Sequence, residues 1–256
     1  MPLAAAVSIG NSSIQIARLG DGTPEEVSRH DLVDDAQAVQ NIGTWFEGVE
    51  TTDRVTLVAS VNPAADERLR DRLATVVGGE ILEIERDLAA PIGRGLDPES
   101  LVGVDRLLAA AAAWDELKQA CIVIDAGTAV TVDFIDGEGT FQGGAILPGI
   151  ASMLNAVHHD TALLPETTFA PPEGDPWGRN TNDAILRGVD AAIAGGAWKL
   201  VERYALHYGG FPLVIATGGD APLLFRDDEL VSRIVPDLVL RGMAIAWRTA
   251  NEESGA

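Results

Sequence analysis

Two stretches of this sequence follow one pattern, and together they decide the fold. The clearer one is Ile124-Asp125-Ala126-Gly127-Thr128-Ala129-Val130-Thr131, in which an apolar run reaches an aspartate and continues into a glycine and a threonine. The stretch Val7-Ser8-Ile9-Gly10-Asn11-Ser12-Ser13 repeats this layout near the start of the chain, with a serine in place of the aspartate. A glycine between two strands lets backbone amides approach a phosphate without a Cβ in the way. The sequence therefore predicts two hairpins whose turns bind phosphate, although such hairpins also occur without a ligand.

A third glycine turn occurs in the second half of the chain. Thr217-Gly218-Gly219-Asp220 follows an apolar run at 213–216, and its glycines would let a nucleotide lie against the backbone. Taken singly, each of the three turns is also found in ordinary connections. Their order and spacing are more specific. They are typical of the actin-like ATPase and sugar kinase architecture, in which ATP lies between duplicated halves.

The apolar pattern along the chain predicts the other elements. Strands are expected over 3–19 (as a hairpin), 54–61, 81–84, 120–125, 129–135, 141–147 and 213–216. Helices are expected over 64–77, 106–117, 150–157, 183–204 and 238–251. The order of strands and helices restarts near residue 117, which indicates an internal duplication. The sequence thus predicts an α/β protein of two ribonuclease H-like (actin-like ATPase) halves, 1–117 and 118–256, each with a mixed central sheet flanked by helices.

Composition limits the class of protein. With 256 residues, of which 46% are apolar, the chain can bury the core of one large domain or two ordinary ones. A single cysteine, Cys121, excludes a disulfide framework and favours a cytoplasmic location. No run of about 18 uninterrupted apolar residues occurs, so a transmembrane helix is not expected. The first residues lack the basic segment of a signal peptide, and none is expected.

The charge of the chain restricts its partners. The formal net charge is −21, with the acidic residues spread along the whole sequence. A field of this sign repels nucleic acids and anionic membranes, so neither is expected as a partner. It also repels a free anionic substrate. A phosphate site in this protein therefore needs local hydrogen-bond donors or a cation.

The segment Gly103-Val104-Asp105-Arg106 precedes a predicted helix and has two interpretations. Free amides and the helix dipole favour a carboxylate at a helix N-terminus, so Asp105 could be an N-cap residue. Alternatively, Asp105 could be a general base that accepts a proton from a substrate hydroxyl as its oxygen attacks phosphorus. Phosphoryl transfer depends on positioning and charge neutralisation more than on a strong base, so a carboxylate would suffice. The residues alone leave both interpretations open.

A series of motifs, in order along nearly the whole chain, resembles the type III pantothenate kinase family. The matching segments are Ser8 to Ser12 for the family's D-x-G-N-[TS], Gly103 to Arg106 for G-x-D-R, Asp125 to Asp133 for D-x-G-T-A-x-T-x-D, Gly143 to Gly149 for G-G-x-I-x-P-G, Thr161 to Pro165, Gly178 to Thr181 with Ile185 and Gly188, and Thr217 to Gly219.

The resemblance implies ATP-dependent phosphorylation of pantothenate to 4'-phosphopantothenate, the first step of coenzyme A biosynthesis. It implies that Asp105 is the catalytic base, and that the pantothenate contacts are Gly103, Val104, Arg106 and Thr181. The implied ATP- and phosphate-binding residues are Ser8, Gly10, Asn11, Ser12, Gly127, Thr128, Gly218 and Gly219, with Asp125 as the metal ligand. The implied cofactors are ATP, Mg2+ or another divalent cation, and K+ (potassium) or NH4+. The implied assembly is a homodimer with pantothenate bound near the subunit interface.

The sequence departs from the family pattern at two places. Ser8 stands where the family has an aspartate, which removes a charge near the transferred phosphate, and such a loss can cost on the order of 10²–10³ in rate. In the loop 91–102, Gly95-Leu96-Asp97-Pro98 replaces the family's Y-x-x-P. Two alternatives therefore stand beside the pantothenate kinase. One is a catalytically weakened paralogue that binds nucleotide or a pantothenate-like ligand as a regulatory or accessory protein. The other is a kinase of the same fold that acts on another small hydroxylated substrate.

Overall fold

The computed structural model describes residues 3–20 and 23–254, which form two compact units. The first unit takes the residues up to Glu116 together with those from Asp237 onward, and the second runs from Leu117 to Pro236. The halves expected from the sequence, 1–117 and 118–256, differ from these units in where the C-terminal residues belong. The interpretation of those two halves as an internal duplication stays a prediction.

The sheet of the first unit contains five strands in the order β3-β2-β1-β4-β5. Their bounds are Leu3–Ile9 (β1), Ser13–Leu19 (β2), Pro24–Asp31 (β3), Arg54–Ser60 (β4) and Glu80–Glu83 (β5). Strand β1 is antiparallel to β2 and parallel to β4, so both of its edges are paired. A strand in this position is buried on both faces, which explains its nearly continuous apolar run.

Two helices, α1 (Asp35–Trp45) and α2 (Pro63–Val76), cover one face of this sheet. Helix α2 begins where the sequence provides an acceptor for its free amides. The side chain of Asn62 accepts the Ala65 N–H at 3.1 Å, and Pro63 occupies the first helical position. The core between helices and sheet is formed by Ala5, Val7, Ile9, Ile14, Ile16, Ala38, Val39, Ile42, Phe46, Val58, Ala65, Leu69, Leu73 and Val77.

Helices α3 (Val104–Leu117) and α7 (Leu238–Ser254) come from distant parts of the chain. Helix α7 packs on β1, β2 and β3, which explains why the C-terminal residues belong to the first unit. Gly242 of α7 lies directly on Leu108 of α3, where a Cβ would overlap the Leu108 carbonyl group. A 3₁₀ turn at Thr51–Asp53 and a two-residue strand, β6 (Gly93–Arg94), lie in the connecting segments.

The strands of the second unit run in the order β11-β10-β7-β8-β9. Their bounds are Cys121–Ala126 (β7), Ala129–Ile135 (β8), Thr140–Pro148 (β9), Leu213–Thr217 (β10) and Val231–Ile234 (β11). Strands β7, β8 and β9 form an antiparallel meander, whereas β10 is parallel to both β7 and β11. The sheet is therefore mixed, like that of the first unit.

Helices α4 (Ile150–His159), α5 (Thr181–Tyr208) and α6 (Ala221–Phe225) pack on the second sheet. On β7 the residues that join this helical core are Ile122, Ile124 and Ala126. Because side chains alternate between the faces of a strand, Asp125 lies on the face away from these helices. This alternation decides which side chains can form the site described below.

The predicted α/β class, with mixed sheets flanked by helices, is confirmed. Each predicted strand and helix is present with its ends shifted by a few residues. The sequence missed β3, α1, the 3₁₀ turn and the two-residue β6 in the first unit, and α6 and β11 in the second. In the part of the chain that the structure describes, no helix is long and apolar enough to cross a membrane.

Candidate functional site

The turn between β7 and β8 is held in place by the start of helix α4. The Gly127 N–H donates to the Ala129 carbonyl at 3.0 Å and closes the turn. The carbonyl of Thr128 accepts two hydrogen bonds, from the Gly149 N–H and from the Ser152 hydroxyl, each at 3.1 Å. The Thr128 side chain itself is exposed. The turn is thus fixed through its backbone, while its threonine side chain lies at the surface, where a ligand can reach it.

Gly149 shows how closely α4 approaches this turn. A Cβ at Gly149 would overlap the Gly127 carbonyl oxygen and lie 2.8 Å from that of Thr128. A larger residue at this position would push the helix start away from the turn. In this chain, close packing against the turn explains why the last position of the family's G-G-x-I-x-P-G motif is a glycine.

The turn after β10 reaches the same edge of the second sheet. The parallel register pairs Thr217 with Asp125, and the Asp220 N–H donates to the Ala126 carbonyl at 2.9 Å. Gly218 has a φ of +91°, and a Cβ there would overlap the Asp125 carboxylate oxygen Oδ1. Ligands of α/β sheets commonly bind outside the carboxyl ends of strands, where these two turns lie.

The structure therefore brings together the predicted site residues of the second unit that lie at strand ends. These are Asp125, Gly127, Thr128, Gly218 and Gly219. Glycine at 218 is required by a positive φ and by the close approach to Asp125. Glycine at 127 has no such requirement, because a Cβ would meet only the Ala129 carbonyl at 3.9 Å.

The turn between β1 and β2 has the same strand pairing with a longer loop. The Gly10 N–H donates to the Ser13 carbonyl at 2.9 Å, and the Ser12 carbonyl accepts from Leu32 at 3.1 Å. The loop has three residues, 10–12, whereas the second turn has two, 127–128. Asn11 and Ser12 are exposed. The predicted first-unit phosphate residues thus lie on one hairpin tip, with Ser8 at the strand end below it.

Asp105 lies in the first turn of α3, which begins at Val104. It therefore does not occupy the N-cap, the position that the simpler interpretation of the sequence gave it. The Arg106 N–H donates to Asp105 Oδ1 at 2.8 Å, and a Cβ at Gly103 would collide with the same oxygen. Gly103 thus leaves room for the carboxylate.

Burial is the largest influence on the pKa of Asp105, and it raises that pKa above the usual aspartate range. The hydrogen bond from the Arg106 N–H and the Arg106 charge act in the opposite direction, with smaller effect. A carboxylate with a raised pKa is a better proton acceptor than an ordinary surface aspartate. The direction of this shift agrees with the predicted role of general base, which stays a prediction.

Thr181 is the first residue of α5 and is exposed. The helix start is capped by Asn180, whose side chain accepts the Asp183 N–H at 2.9 Å. A Cβ at Gly178 would overlap the backbone nitrogen of Ala184, so the preceding loop folds tightly onto this first turn. The Thr181 hydroxyl is thereby presented from a well-defined helix start.

The residues present fit a cation that is held partly by nucleotide phosphates. Among the side chains that the structure describes, no group of three or more His, Cys, Asp or Glu residues able to hold a metal occurs. Mg2+ commonly keeps several waters and is bound by one or two carboxylates plus substrate phosphates, which needs no cage of this kind. Asp125 supplies the carboxylate oxygens that hard cations take.

One buried acid at this sheet received no role from the sequence. Asp133 is 1% exposed and accepts the Thr131 hydroxyl proton at 3.1 Å. It is the last residue of the D-x-G-T-A-x-T-x-D pattern. The available signal was the period-two alternation of β8, which places Asp133 with Thr131 on the face opposite the apolar Val130 and Val132.

Comparison with known proteins gives the family. The family model described as type III pantothenate kinase matches residues 5–203. The chain belongs to the type III pantothenate kinase family. A type III pantothenate kinase from Rhodospirillum rubrum is 33% identical over 251 residues, covering 95% of this chain and 97% of the relative. One from Paramagnetospirillum magneticum is 33% identical over 252 residues, covering 93% and 94%.

Solved structures support the fold class of this pantothenate kinase family member. MreB5 of Spiroplasma citri, solved with ADP, has a TM-score of 0.55 at 11% identity and covers 100% of this chain and 99% of its own. The ethanolamine utilization protein EutJ from Carboxydothermus hydrogenoformans has a TM-score of 0.53 at 17% identity, covering 96% and 90%. At such low identity these similarities show the fold alone.

Proposed function

We propose that the protein transfers the γ-phosphoryl group of ATP to the primary hydroxyl of pantothenate, which gives 4'-phosphopantothenate and ADP in the first step of coenzyme A biosynthesis. Membership of the type III pantothenate kinase family supports the reaction and its substrates. The observation that carries the proposal is Asp105, a carboxylate with a raised pKa in the first turn of α3.

Asp105 acts as the general base. Its Oδ1 accepts the Arg106 N–H, which orients the carboxylate. In the reaction the carboxylate accepts the proton of the pantothenate hydroxyl while that oxygen forms a bond to the γ-phosphorus and the bond to ADP breaks. Because burial raises the pKa of Asp105, its carboxylate accepts this proton more readily than an exposed aspartate would.

The other residues of this segment bind pantothenate. Arg106 supplies a positive charge for the pantothenate carboxylate, and the backbone of Gly103 and Val104 shapes the contact. Thr181 contributes its exposed hydroxyl at the start of α5. Since the chain carries a net charge of −21, a local arginine is needed to hold an anionic substrate.

The two hairpin turns bind ATP phosphates. Gly10, Asn11, Ser12, Gly127 and Thr128 offer backbone amides and hydroxyls, and Ser8 lies at the base of the first turn. Gly218 and Gly219 provide a surface without side chains for the nucleotide. Asp125 would be a ligand of the bound cations, Mg2+ and K+ or NH4+, which would supply positive charge to neutralise the phosphates.

A homodimer and a cytoplasmic location complete the proposal. Large apolar side chains exposed on the second unit favour coverage by a second copy; they include Ile146, Leu206, Phe211 and Leu230. Sedimentation analysis tests this, and a monomer at all concentrations would exclude the dimer. The single cysteine is a free, buried thiol, as expected for a protein that works beside cytoplasmic ATP.

The test is ADP release coupled to NADH oxidation, with pantothenate, Mg2+ and K+ present. We expect pantothenate-dependent turnover in the wild type and its loss in Asp105→Asn. Another small alcohol that is phosphorylated in place of pantothenate would reassign the substrate. Absence of pantothenate-dependent ADP release under every cation condition would instead support the non-catalytic paralogue and contradict the proposal.

A further inference from the structure

A row of oxygen-bearing side chains crosses the second sheet at Asp125. Strands β10, β7 and β8 are neighbours, and their register places Thr217 beside Asp125 and Asp125 opposite Thr131. Paired residues of neighbouring strands point to the same face, with Cβ atoms about 5 Å apart. The flanking residues Ile124 and Val130 join the helical core on the other face. The three polar side chains therefore share the face away from α4 and α5.

Asp133 continues this row along β8. It lies on the same face as Thr131, and its Oδ2 accepts the Thr131 hydroxyl at 3.1 Å. A Cβ at Gly144, which is paired with Asp133 on β9, would overlap Asp133 Oδ1. The carboxylate thus lies against the β9 backbone. At 1% exposure it is a costly group to bury, and the roles given above do not use it.

The hydrogen bond from Thr131 to Asp133 decides what Thr131 can bind. A threonine hydroxyl has one proton and two acceptor lone pairs. In this hydrogen bond Thr131 is the donor and Asp133 Oδ2 the acceptor, so the hydroxyl proton is committed to Asp133. Thr131 then offers lone pairs alone to any further partner. Lone pairs attract a cation and repel a phosphate oxygen.

We propose that Thr131 is a ligand of the monovalent cation bound at Asp125, and that Asp133 is a positioning residue that turns the Thr131 lone pairs toward that cation. The proposal rests on the cation site of the proposed function and adds two residues to it. A carboxylate flanked by hydroxyl oxygens suits a singly charged ion. A divalent ion held by protein alone needs more carboxylates, and no group of three or more His, Cys, Asp or Glu side chains able to hold a metal occurs among the described residues.

The test measures K+ binding to the full-length protein without turnover. A cation that binds the folded state raises the unfolding midpoint as its concentration increases. The K+-dependent rise is measured with ADP present, against choline chloride at equal ionic strength. We expect Thr131→Val to raise the half-saturating K+ concentration about tenfold, a shift equal to about 1.4 kcal/mol of binding free energy. Thr131→Ser keeps the hydroxyl and should restore wild-type binding.

A matched control comes from a buried threonine in the other unit. Thr56 of β4 is 1% exposed, and its hydroxyl has no hydrogen-bond partner. Thr56→Val makes the same change in a similarly buried strand and should leave the K+ titration unchanged. A weaker K+ response in Thr56→Val as well would show that the effect of Thr131→Val is nonspecific, and would overturn the proposal.

Asp133→Ala tests whether Asp133 acts through Thr131. We expect it to weaken K+ binding on its own and to add nothing in the Thr131→Val background, because residues that act as a unit are not additive. Additive effects would overturn the positioning role. If Asp133→Ala does not fold, Asp133→Leu, which has a similar shape and no hydrogen-bond acceptor, gives the same cycle.

Asp125→Asn separates this proposal from the one on which it rests. If Asp125→Asn abolishes the K+ response and Thr131→Val preserves it, the further inference is wrong and the cation site stands. If Asp125→Asn preserves the response, or the wild type shows none, the cation site itself is wrong and both fall.

Discussion

Ser8 on β1 lies directly opposite Gln15 on β2. The same place in the second hairpin holds Asp125 opposite Thr131. The two hairpins are therefore equivalent in strand pairing and differ in charge, since the first carries a neutral pair and the second an acidic one. This difference leads to a prediction about catalysis.

Ser8→Asp should raise the turnover number with pantothenate. It restores a negative charge at the base of the first turn, where it can hold a hydrated divalent cation on the phosphates. Electrostatic contributions of this kind are worth on the order of 10²–10³ in rate. Steady-state kinetics over a Mg2+ titration measure the effect. Ser8→Asn, of the same shape without the charge, is the control, and an equal gain in both would contradict the electrostatic explanation.

Gly218→Ala should lower both stability and cation binding. The φ of +91° strains an alanine, and its Cβ would displace the Asp125 carboxylate. We expect a loss of about 1–3 kcal/mol in the free energy of unfolding. Gly195→Ala on α5 is the control, since nothing lies within 4 Å of its Cβ and a helical alanine gains roughly 0.5–1 kcal/mol. Urea denaturation of both variants measures the free energy of unfolding. Equal changes in Gly218→Ala and Gly195→Ala would contradict the crowding at Gly218.

Asp35→Asn should destabilise the first unit. Asp35 is 3% exposed and accepts hydrogen bonds from Arg68 at 2.7 Å and from Arg72 at 2.6 Å. Both arginines are half-exposed and keep water when the acid is lost, so we expect about 1.5–3 kcal/mol, the range for a charged hydrogen bond. Glu202→Gln, whose partner Lys199 is exposed, should cost about 0.5 kcal/mol or less. Thermal unfolding of both variants measures these costs. Similar unfolding midpoints would show that the hydrogen bonds of buried Asp35 add no more stability than the exposed ion pair of Glu202.

The three turns could be predicted from the sequence because their signals are local. A glycine beside hydroxyl residues between apolar runs specifies a tight turn, whatever the rest of the chain does. Strand β3 could not be predicted in this way. It lies at the sheet edge with most residues exposed, so no apolar alternation marks it.

Contacts between distant segments also could not be predicted from the sequence. Helix α7 was predicted, but its packing on β1 depends on tertiary contacts that no local pattern records. The hydrogen bond between Thr131 and Asp133 has the same character. Both residues belong to a motif recognised in the sequence. The part this hydrogen bond could have in a cation site, however, depends on the strand register that places Thr131 opposite Asp125.

Asp105→Asn should separate catalysis from stability. Removing the base should lower the turnover number by about 10²–10⁴. The variant should nevertheless be more stable than the wild type at neutral pH, because burial raises the pKa of Asp105 and so disfavours its charged form. The amide oxygen of the substituted side chain can still accept the Arg106 N–H, so the turn is preserved.

The pH dependence of the Asp105→Asn effect follows from the direction of the pKa shift. The folded state holds its proton to a higher pH than the unfolded state, so the stability from this group is fully present below the ordinary aspartate pKa and is lost as pH rises through the raised value. The stability advantage of Asp105→Asn should therefore shrink as pH falls into that range. The wild-type rate should rise over the same window as the base loses its proton. Unfolding midpoints and kcat/KM profiles across acidic and neutral pH measure the two effects, and a destabilised Asp105→Asn variant with full activity would show that Asp105 supports the helix rather than the reaction.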